Sequence, residues 1–210
     1  MSRRGRQPFP GTAAYWERRY ASGGTSGAGS YGPFAEFKAK VINDFVSRHH
    51  VDSVIEFGCG DGNQLKLARY PRYLGLDVSE SAVARCQSEF PHDRSKEFKL
   101  SSEYRGEKAD LALSLDVIYH LVEEDVFQDY MRALFGASNR YVIIYSSNSD
   151  DNRRYDGTHL RQRKFTEWVA VNMPGWRLIA HIPNEYPYEP DTSGGSIADF
   201  FIYQSAGQST

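Results

Sequence analysis

A glycine-rich turn preceded by a carboxylate lies near residue 60. Glu56 is followed by Gly58, Gly60 and Gly62, directly after a short apolar run. Glycines at alternate positions let a backbone turn tightly and approach a ligand without interference from Cβ atoms. The carboxylate would repel a pyrophosphate but suits an ammonium group. The turn therefore favours a ligand that is positively charged at one end.

A second acidic residue, Asp77, follows the next apolar run. At this distance from a glycine turn, an acid can accept hydrogen bonds from both hydroxyls of a ribose. The same combination also suits NAD, but the spacing here is GxGxG and not the GxGxxG that seats a pyrophosphate on a helix N-terminus. In a purely structural interpretation, the glycines make a tight turn and Asp77 caps a helix. Both interpretations stay open on these residues alone.

The elements that must position these residues alternate between strands and helices. Short apolar runs predict strands at 53–57, 72–76, 97–100, 109–115, 141–145, 176–182 and 197–203. Helical spacing predicts helices at 15–20, 33–48, 63–69, after Ser79 as N-cap, from residue 123, and at 166–173. This alternation predicts the α/β class, with a single Rossmann-like, doubly wound, mostly parallel sheet of seven strands and helices on both faces. The last strand is predicted to be antiparallel and at the edge.

Three segments resemble motifs of the class I S-adenosylmethionine-dependent methyltransferases. Residues 54–62 resemble motif I, residues 74–79 resemble the acidic motif II, and residues 110–121 resemble motif IV with the turn after its strand. The resemblance covers roughly residues 34–203. It implies that S-adenosylmethionine is the cofactor and that methyl transfer is the activity.

The resemblance also implies which residues contact the cofactor. Glu56 and the glycines would line its methionine and ribose end, Asp77 would take the ribose hydroxyls, and Val78 would flank the adenine. A serine after the third strand takes the place where this family commonly has an Asp near the adenine amino group. The predicted cofactor contacts are Trp16, Tyr20, Glu56, Gly58, Cys59, Gly60, Asp77, Val78, Ser101, Ser102, Leu115 and Asp116.

The turn after the fourth strand carries the candidate for a catalytic base. A base is needed mainly for a hydroxyl acceptor, since methyl transfer otherwise depends on alignment and the exclusion of water. His120 lies where the acceptor and the methyl group should meet, and a histidine pKa near ~6.5 suits proton abstraction. His120 could equally have a structural role, in which it holds the loop by a hydrogen bond to a backbone carbonyl. Asp116 could orient His120, contact the cofactor or cap the next helix.

Residues beyond the fifth strand supply candidates for acceptor binding. A basic cluster could clamp a phosphate or carboxylate, or it could be a solvated face. It consists of Arg153, Arg154, His159, Arg161, Arg163 and Lys164. Tyr186 and Tyr188 could wall an aromatic or sugar pocket, or only pack their own loop. The predicted acceptor contacts are Tyr119, His159, Arg161 and Tyr186.

Residues 1–32 are predicted to form an N-terminal tail and lid, ahead of an S-adenosylmethionine-binding domain at residues 33–210. Trp16 and Tyr20 lie one helical turn apart and could close over the cofactor, with the following glycines as a hinge. The alternative is an aromatic anchor followed by a linker. A lid is favoured because an open cofactor site would admit water.

The composition of the 210 residues narrows the partners and the compartment. The formal net charge is −2 with both signs scattered along the chain, so no nucleic-acid partner is expected. Two cysteines without metal-ligand spacing, and apolar runs of only strand length, indicate a cytoplasmic chain without disulfides, zinc or a membrane partner. Asp150 and Asp151 lie several residues beyond a strand, so a magnesium site is not expected either. The oligomeric state stays open.

These expectations combine into a function. We expect transfer of a methyl group from S-adenosylmethionine to a small-molecule acceptor, preferably to a hydroxyl of a sugar, a nucleotide-linked compound or a natural product. The alternatives are a nucleic-acid or protein methyltransferase, an NAD-dependent oxidoreductase, and a catalytically silent binding module. The first is disfavoured because the fourth strand lacks the Asn/Asp-Pro-Pro-Tyr/Phe signature of enzymes that methylate exocyclic amines.

Overall fold

A seven-stranded sheet organises the part of the chain that the computed structural model describes, residues 9–153, 158–189 and 194–207. Its strands are β1 Val54–Phe57, β2 Tyr73–Asp77, β3 Lys96–Leu100, β4 Ala109–Leu115, β5 Ser138–Ser146, β6 Trp176–Ile182 and β7 Asp199–Ser205. They lie in the order β3-β2-β1-β4-β5-β7-β6. The first five strands are parallel, and the strand order reverses beside β1, so the carboxyl ends of β1, β2 and β4 meet. The predicted fold class is confirmed.

The last strand, β7, is antiparallel as predicted, but it does not lie at the edge of the sheet. It pairs with β5 on one side and with β6 on the other, which leaves β6 as the edge strand. The side chains explain this order. Phe200 and Ile202 of β7 are buried, whereas Leu178 and Ile179 of β6 are exposed, so β7 gains more from a central position.

Helices cover both faces of the sheet at α1 Thr12–Ala21, α2 Gly32–Arg48, α3 Glu80–Glu89, α4 Glu124–Gly136 and α5 Phe165–Asn172. Ser79 caps α3 as predicted, since its Oγ accepts from the amide of Ala82 at 3.1 Å. The helix predicted at 63–69 is only a 3-10 turn, Gln64–Leu67, because the chain is extended at Ala68 and Pro71 disfavours helix in the residue before it.

Two apolar clusters, one on each face of the sheet, hold these layers together. One packs α2 and α3 against the sheet through residues such as Ile42 and Leu111, and the other packs α4 and α5 through residues such as Met131 and Phe165. Each such side chain contributes about 1.5–3 kcal/mol by leaving water. No helix among the described residues is both long and apolar enough to cross a membrane.

Candidate active site

A cavity of about 650 Å³ opens at the carboxyl ends of β1, β2 and β4, where the strand order reverses. It is large enough for a nucleoside with an amino-acid tail. The cavity is lined by most of the predicted cofactor contacts and by the predicted catalytic base. These residues are Trp16, Tyr20, Glu56, Gly58, Cys59, Gly60, Asp77, Val78, Ser101, Leu115, Asp116 and His120.

The glycine turn brings the backbone to the cavity in conformations that need glycine. Gly58 and Gly60 have φ angles of +86° and +60°. A Cβ at Gly58 would lie 2.5 Å from the Val117 side chain, and one at Gly60 would lie 2.3 Å from the Ser26 hydroxyl. Both positions therefore require glycine, because Val117 and Ser26 pack directly against the bare backbone of the turn.

Asp77 is buried beneath this turn and accepts from the amides of Gly60 at 2.9 Å and Ser79 at 3.0 Å. Burial raises its pKa to about 6, although these amides oppose the shift. Since Ser79 caps α3, Asp77 is not needed as the helix cap. Its carboxylate lies at the cavity wall, where a pair of hydroxyl donors would offset the cost of its burial.

Glu56 is buried at the other end of the turn, with the Tyr73 hydroxyl donating to its Oε2 at 2.6 Å. Burial raises the pKa of Glu56 to about 7, while the Tyr73 bond and the nearby Lys38 hold it lower than burial alone would. Ionised Glu56 suits an ammonium ligand.

Gln64 adds an acceptor that the sequence analysis missed. Its Nε2 donates to the Ala35 carbonyl at 3.0 Å, but its buried Oε1, at the cavity wall, has no hydrogen-bond partner within the described chain. An orphaned buried acceptor is costly unless a ligand donates to it. Together with the bare glycine turn and the two buried carboxylates, it fits the amino-acid and ribose ends of S-adenosylmethionine.

Lys38 is a second residue that the sequence analysis missed. It is fully buried, lines the cavity, and pairs with Asp116 Oδ2 at 2.6 Å, with its ammonium 5.3 Å from the centre of the Tyr145 ring. Its signal in the sequence is its position four residues after Phe34, on the apolar stripe of α2, where a lysine must find a buried partner. The carboxylate of Asp116 is that partner.

Asp116 occupies the left-handed backbone region, with a φ of +60°. Besides Lys38, it accepts from the Tyr119 hydroxyl at 2.7 Å, so Tyr119 contacts the site through Asp116. Neither contact orients His120 directly. Because non-glycine residues rarely adopt this conformation, Lys38 and Tyr119 hold a strained turn at the end of β4.

His120 lines the cavity and has its Nδ1 3.3 Å from the carbonyl oxygen of His159. A carbonyl can only accept, so Nδ1 carries the proton and Nε2 holds the lone pair. Burial lowers the pKa of His120 to about 4, which keeps the ring neutral near pH 7. The His159 ring stacks on it at 5.3 Å and Trp16 meets it edge-on at 4.8 Å. The backbone tie at Nδ1 therefore leaves the lone pair of Nε2 as the proton-accepting position of the ring.

The segment from Thr12 to Tyr31 closes the cavity from above. Glu123 accepts from the Thr12 amide at 2.9 Å, and Glu17 accepts from the Ser79 hydroxyl at 2.6 Å. At the far end, Ser26 and Asp61 exchange two hydrogen bonds of 2.9 Å. These contacts place α1 over the site, which is the arrangement that the lid hypothesis requires.

The remaining predicted contacts lie away from the cavity wall. Ser102 is exposed, so of the two serines only Ser101 lines the cavity. His159 reaches the site through its stack on His120, and Arg161 pairs with Glu124 at 3.2 Å. Tyr186 is exposed and meets Phe34 edge-on.

The basic cluster is engaged in local contacts. Arg163 is buried, donates to Glu124 at 2.8 Å, and also donates to backbone carbonyls of the turn before α4. Arg153 pairs with Asp151 at 2.5 Å and Lys164 with Glu167 at 3.3 Å. Arg154 lies outside the described residues. Among those residues, no group of three or more His, Cys, Asp and Glu side chains could hold a metal ion.

The fold and the site together define a class I, S-adenosylmethionine-dependent methyltransferase. Residues 31–185 match the family model described as a methyltransferase domain, and the chain belongs to that family. S-adenosylmethionine is its cofactor, which excludes the NAD alternative.

Known proteins with related sequences or folds are named for several kinds of methyl acceptor. The chain is 26% identical over 185 residues to the small RNA 2'-O-methyltransferase of Mus musculus, covering 77% of this chain and 46% of that protein. It is 23% identical over 130 residues to a tRNA (carboxymethyluridine(34)-5-O)-methyltransferase of Arabidopsis thaliana, covering 58% of this chain and 31% of that protein. The chain thus spans at most about half the length of these curated relatives.

Among solved structures, the N-methyltransferase NodS of Bradyrhizobium japonicum in complex with S-adenosyl-L-homocysteine has a similar fold. The TM-score is 0.70 at 14% identity, covering 92% of this chain and 98% of that one. The expectation that no nucleic acid is a partner is wrong, because both curated relatives are named for action on RNA. A net charge of −2 with both signs scattered along the chain does not exclude an RNA substrate.

Proposed function

We propose that this chain transfers a methyl group from S-adenosylmethionine to a hydroxyl oxygen of a small molecule. The observation that carries the proposal is His120, a neutral imidazole at the cavity wall whose Nδ1 is tied to a carbonyl. Its Nε2 is then a proton acceptor fixed beside the turn after β4. An amine acceptor can be methylated as its free base, whereas a hydroxyl must lose its proton.

The low pKa of His120 is compatible with this role. The cofactor supplies an electrophilic methyl group on a sulfonium. As the acceptor oxygen gains the methyl group, its proton becomes strongly acidic, so a base with a pKa of about 4 suffices to take it. The proton moves from the acceptor oxygen to Nε2 of His120 and leaves to solvent when the site opens.

The other residues of the site position the two reactants. Asp77 holds the ribose hydroxyls, Glu56 and the orphaned Oε1 of Gln64 hold the ammonium, and Lys38 holds Asp116 in the turn after β4. The α1 segment, docked by Glu17 on the serines that open α3, excludes water from above. Alignment and exclusion of water then supply much of the rate.

The basic cluster favours a small acceptor, because cations of this cluster are already engaged within the protein. Arg163 is buried and is held by Glu124 and the Leu121 carbonyl, and Arg153 pairs with Asp151, so two of these cations are engaged within the protein. A site that follows a phosphate backbone needs cations that are free to release counterions.

A hydroxyl of RNA is the second candidate. It is favoured by the two curated relatives, whose names combine RNA with methylation at oxygen. A single-stranded end could enter the cavity without an extended basic face.

Labelled methyl transfer tests these proposals. Purified protein with methyl-labelled S-adenosylmethionine is incubated separately with small hydroxyl compounds and with short RNA, and the products are resolved by mass spectrometry. Label in a small hydroxyl compound supports the proposal, and label only in RNA selects the second candidate. Label on nitrogen or carbon in a product would overturn both.

A further inference from the structure

Three planar side chains form a stack that ends on His120. The rings of Tyr15 and His159 lie 4.5 Å apart with their planes 12° from parallel, and the rings of His159 and His120 lie 5.3 Å apart at 9°. Tyr15 belongs to α1, whereas the histidines belong to the loop before α5 and to the turn after β4. The stack therefore joins three separate elements at a ring that lines the cavity.

The segments that carry the two histidines are held together by their backbones. The Arg161 amide donates to the Tyr119 carbonyl at 2.8 Å. The His159 carbonyl lies 3.3 Å from Nδ1 of His120, which exceeds the usual range of about 2.7–3.2 Å for such a bond. A long hydrogen bond restrains the rotation of an imidazole only loosely. The direction of Nε2 therefore depends on what packs against the faces of the His120 ring.

Tyr15 reaches His120 only through His159. Ala14 and Trp16 line the cavity, but Tyr15 between them does not. The Tyr15 hydroxyl makes no hydrogen bond with the residues that the structure describes, so its ring serves in packing alone. The docking of α1 does not depend on this ring, because Thr12 and Glu17 hold the helix by hydrogen bonds of their own.

We propose that Tyr15 and His159 are positioning residues for His120, in which the Tyr15 ring holds His159 against the imidazole and so fixes the direction of Nε2. This inference rests on the proposed function, and it adds that the helix covering the cavity also holds the base. His159, predicted from the sequence as an acceptor contact, then acts through its flat face and not through its nitrogens. A catalytic group is kept in its productive geometry by such packing of a second layer behind it.

Nitrogen-15 NMR of the His120 imidazole tests this arrangement without an acceptor, in the full chain loaded with S-adenosyl-L-homocysteine. The His120 signals are those missing from His120→Ala. In wild type we expect one neutral tautomer, with its proton on Nδ1, and a pKa of about 4. Tyr15→Ala and His159→Ala should let water reach the ring, mix the two tautomers, and raise this pKa by about one unit or more toward the ordinary histidine value of 6.5. Asp116 and Arg19 also act on the charge of this ring and Tyr119 contacts it, and the substitutions leave all three in place.

Conservative variants separate the flat rings from their polar atoms. Tyr15→Phe and His159→Phe keep both rings and should retain the wild-type tautomer of His120. In the label-transfer assay, Tyr15→Ala should slow transfer about tenfold or more, because the base is misplaced, while affinity for S-adenosyl-L-homocysteine stays within about twofold. Arg18→Ala, on the exposed side of α1, is the matched control and should change neither the rate nor the His120 signals.

The outcomes separate this inference from the proposed function. An unchanged tautomer and pKa of His120 in both alanine variants would overturn the inference. A His159→Phe enzyme as slow as His159→Ala would overturn it too, because the nitrogens of His159 would then be needed. Retained binding of S-adenosyl-L-homocysteine shows that each variant is folded. Wild-type label transfer by His120→Ala would remove the proposed function, while the NMR comparison would still decide whether Tyr15 and His159 hold the ring.

Discussion

The cofactor end and the acceptor end of the site are built from different kinds of sequence information. At the cofactor end, Glu56, the glycine turn and Asp77 lie within 22 consecutive residues and are positioned by two neighbouring strands. At the acceptor end, Lys38, Asp116 and Tyr145 come from elements far apart in the chain. The first end is a local motif, whereas the second exists only when the whole sheet has formed.

This contrast predicts that changes at the cofactor end weaken binding of S-adenosylmethionine, while changes at the acceptor end leave that binding intact and alter turnover. The largest effect is expected in the glycine turn. Gly60→Ala would place a Cβ 2.3 Å from the Ser26 hydroxyl at a φ of +60°. We expect cofactor affinity to fall by about 3 kcal/mol or more, measured by calorimetry.

Gly136→Ala is the matched control for this change, since a Cβ there meets nothing within 4 Å. It should bind S-adenosylmethionine like wild type. Wild-type affinity in Gly60→Ala would show that the turn does not approach the cofactor, and the contrast between the two ends would fail.

At the acceptor end, His120→Ala should lower kcat about 100-fold while the cofactor affinity stays within about twofold of wild type. The reason is that Nε2 takes a proton from the acceptor and makes no required cofactor contact. Wild-type turnover requires the neutral form of His120. Its rate should therefore stay level as the pH falls and should decline only near the His120 pKa of about 4. A His120→Ala enzyme with unchanged kcat would return His120 to a structural role in its loop.

Asp77→Ala should weaken cofactor binding by about 1–3 kcal/mol, because the variant loses an ionic acceptor of two hydroxyls. The comparison ligand is S-adenosyl-L-homocysteine, which has the same ribose and should lose the same free energy. An effect confined to one of the two ligands would place Asp77 away from the ribose.

The last expected effect is the pH dependence of stability without ligand. Glu56 has its pKa raised from 4.5 to about 7 by burial, so the folded state binds more protons than the unfolded state in that interval. The contribution of Glu56 to the free energy of unfolding is present below its pKa in the unfolded state, and it is lost as the pH rises through its pKa in the folded state. The free energy of unfolding therefore declines between pH 4.5 and 7, and Glu56→Gln should remove about 2–3 kcal/mol of that decline.

Chemical denaturation at both pH values measures that change. The wild-type decline is partly masked by His120, whose lowered pKa acts in the opposite sense, so the difference between variant and wild type is the informative quantity. Equal pH dependence in the two proteins would mean that Glu56 is solvated in the folded state.

The same contrast explains which features the sequence could predict. Strands β1, β2 and β4 and the cap at Ser79 follow from short apolar runs and a local capping preference, so they were correctly predicted. Lys38 and Gln64 were missed because their roles depend on partners brought close by folding, Asp116 for one and the Ala35 carbonyl for the other.

The order of the last two strands escaped prediction for a similar reason. Both β6 and β7 are apolar runs of strand length, and only the burial of Phe200 and Ile202 on a completed sheet decides which of them is central. The basic cluster was ambiguous in the sequence, and the pairing of Arg163 with Glu124 across the fold makes much of it structural.

The central claim is that the two ends meet so that a methyl group reaches a hydroxyl oxygen beside His120. The most direct measurement is carbon-13 NMR of the product formed from S-adenosylmethionine labelled at its methyl carbon. We predict a methoxy signal whose intensity depends on His120. An N-methyl or C-methyl signal would contradict this claim, and so would a methoxy signal that grows in His120→Ala at the same rate as in wild type.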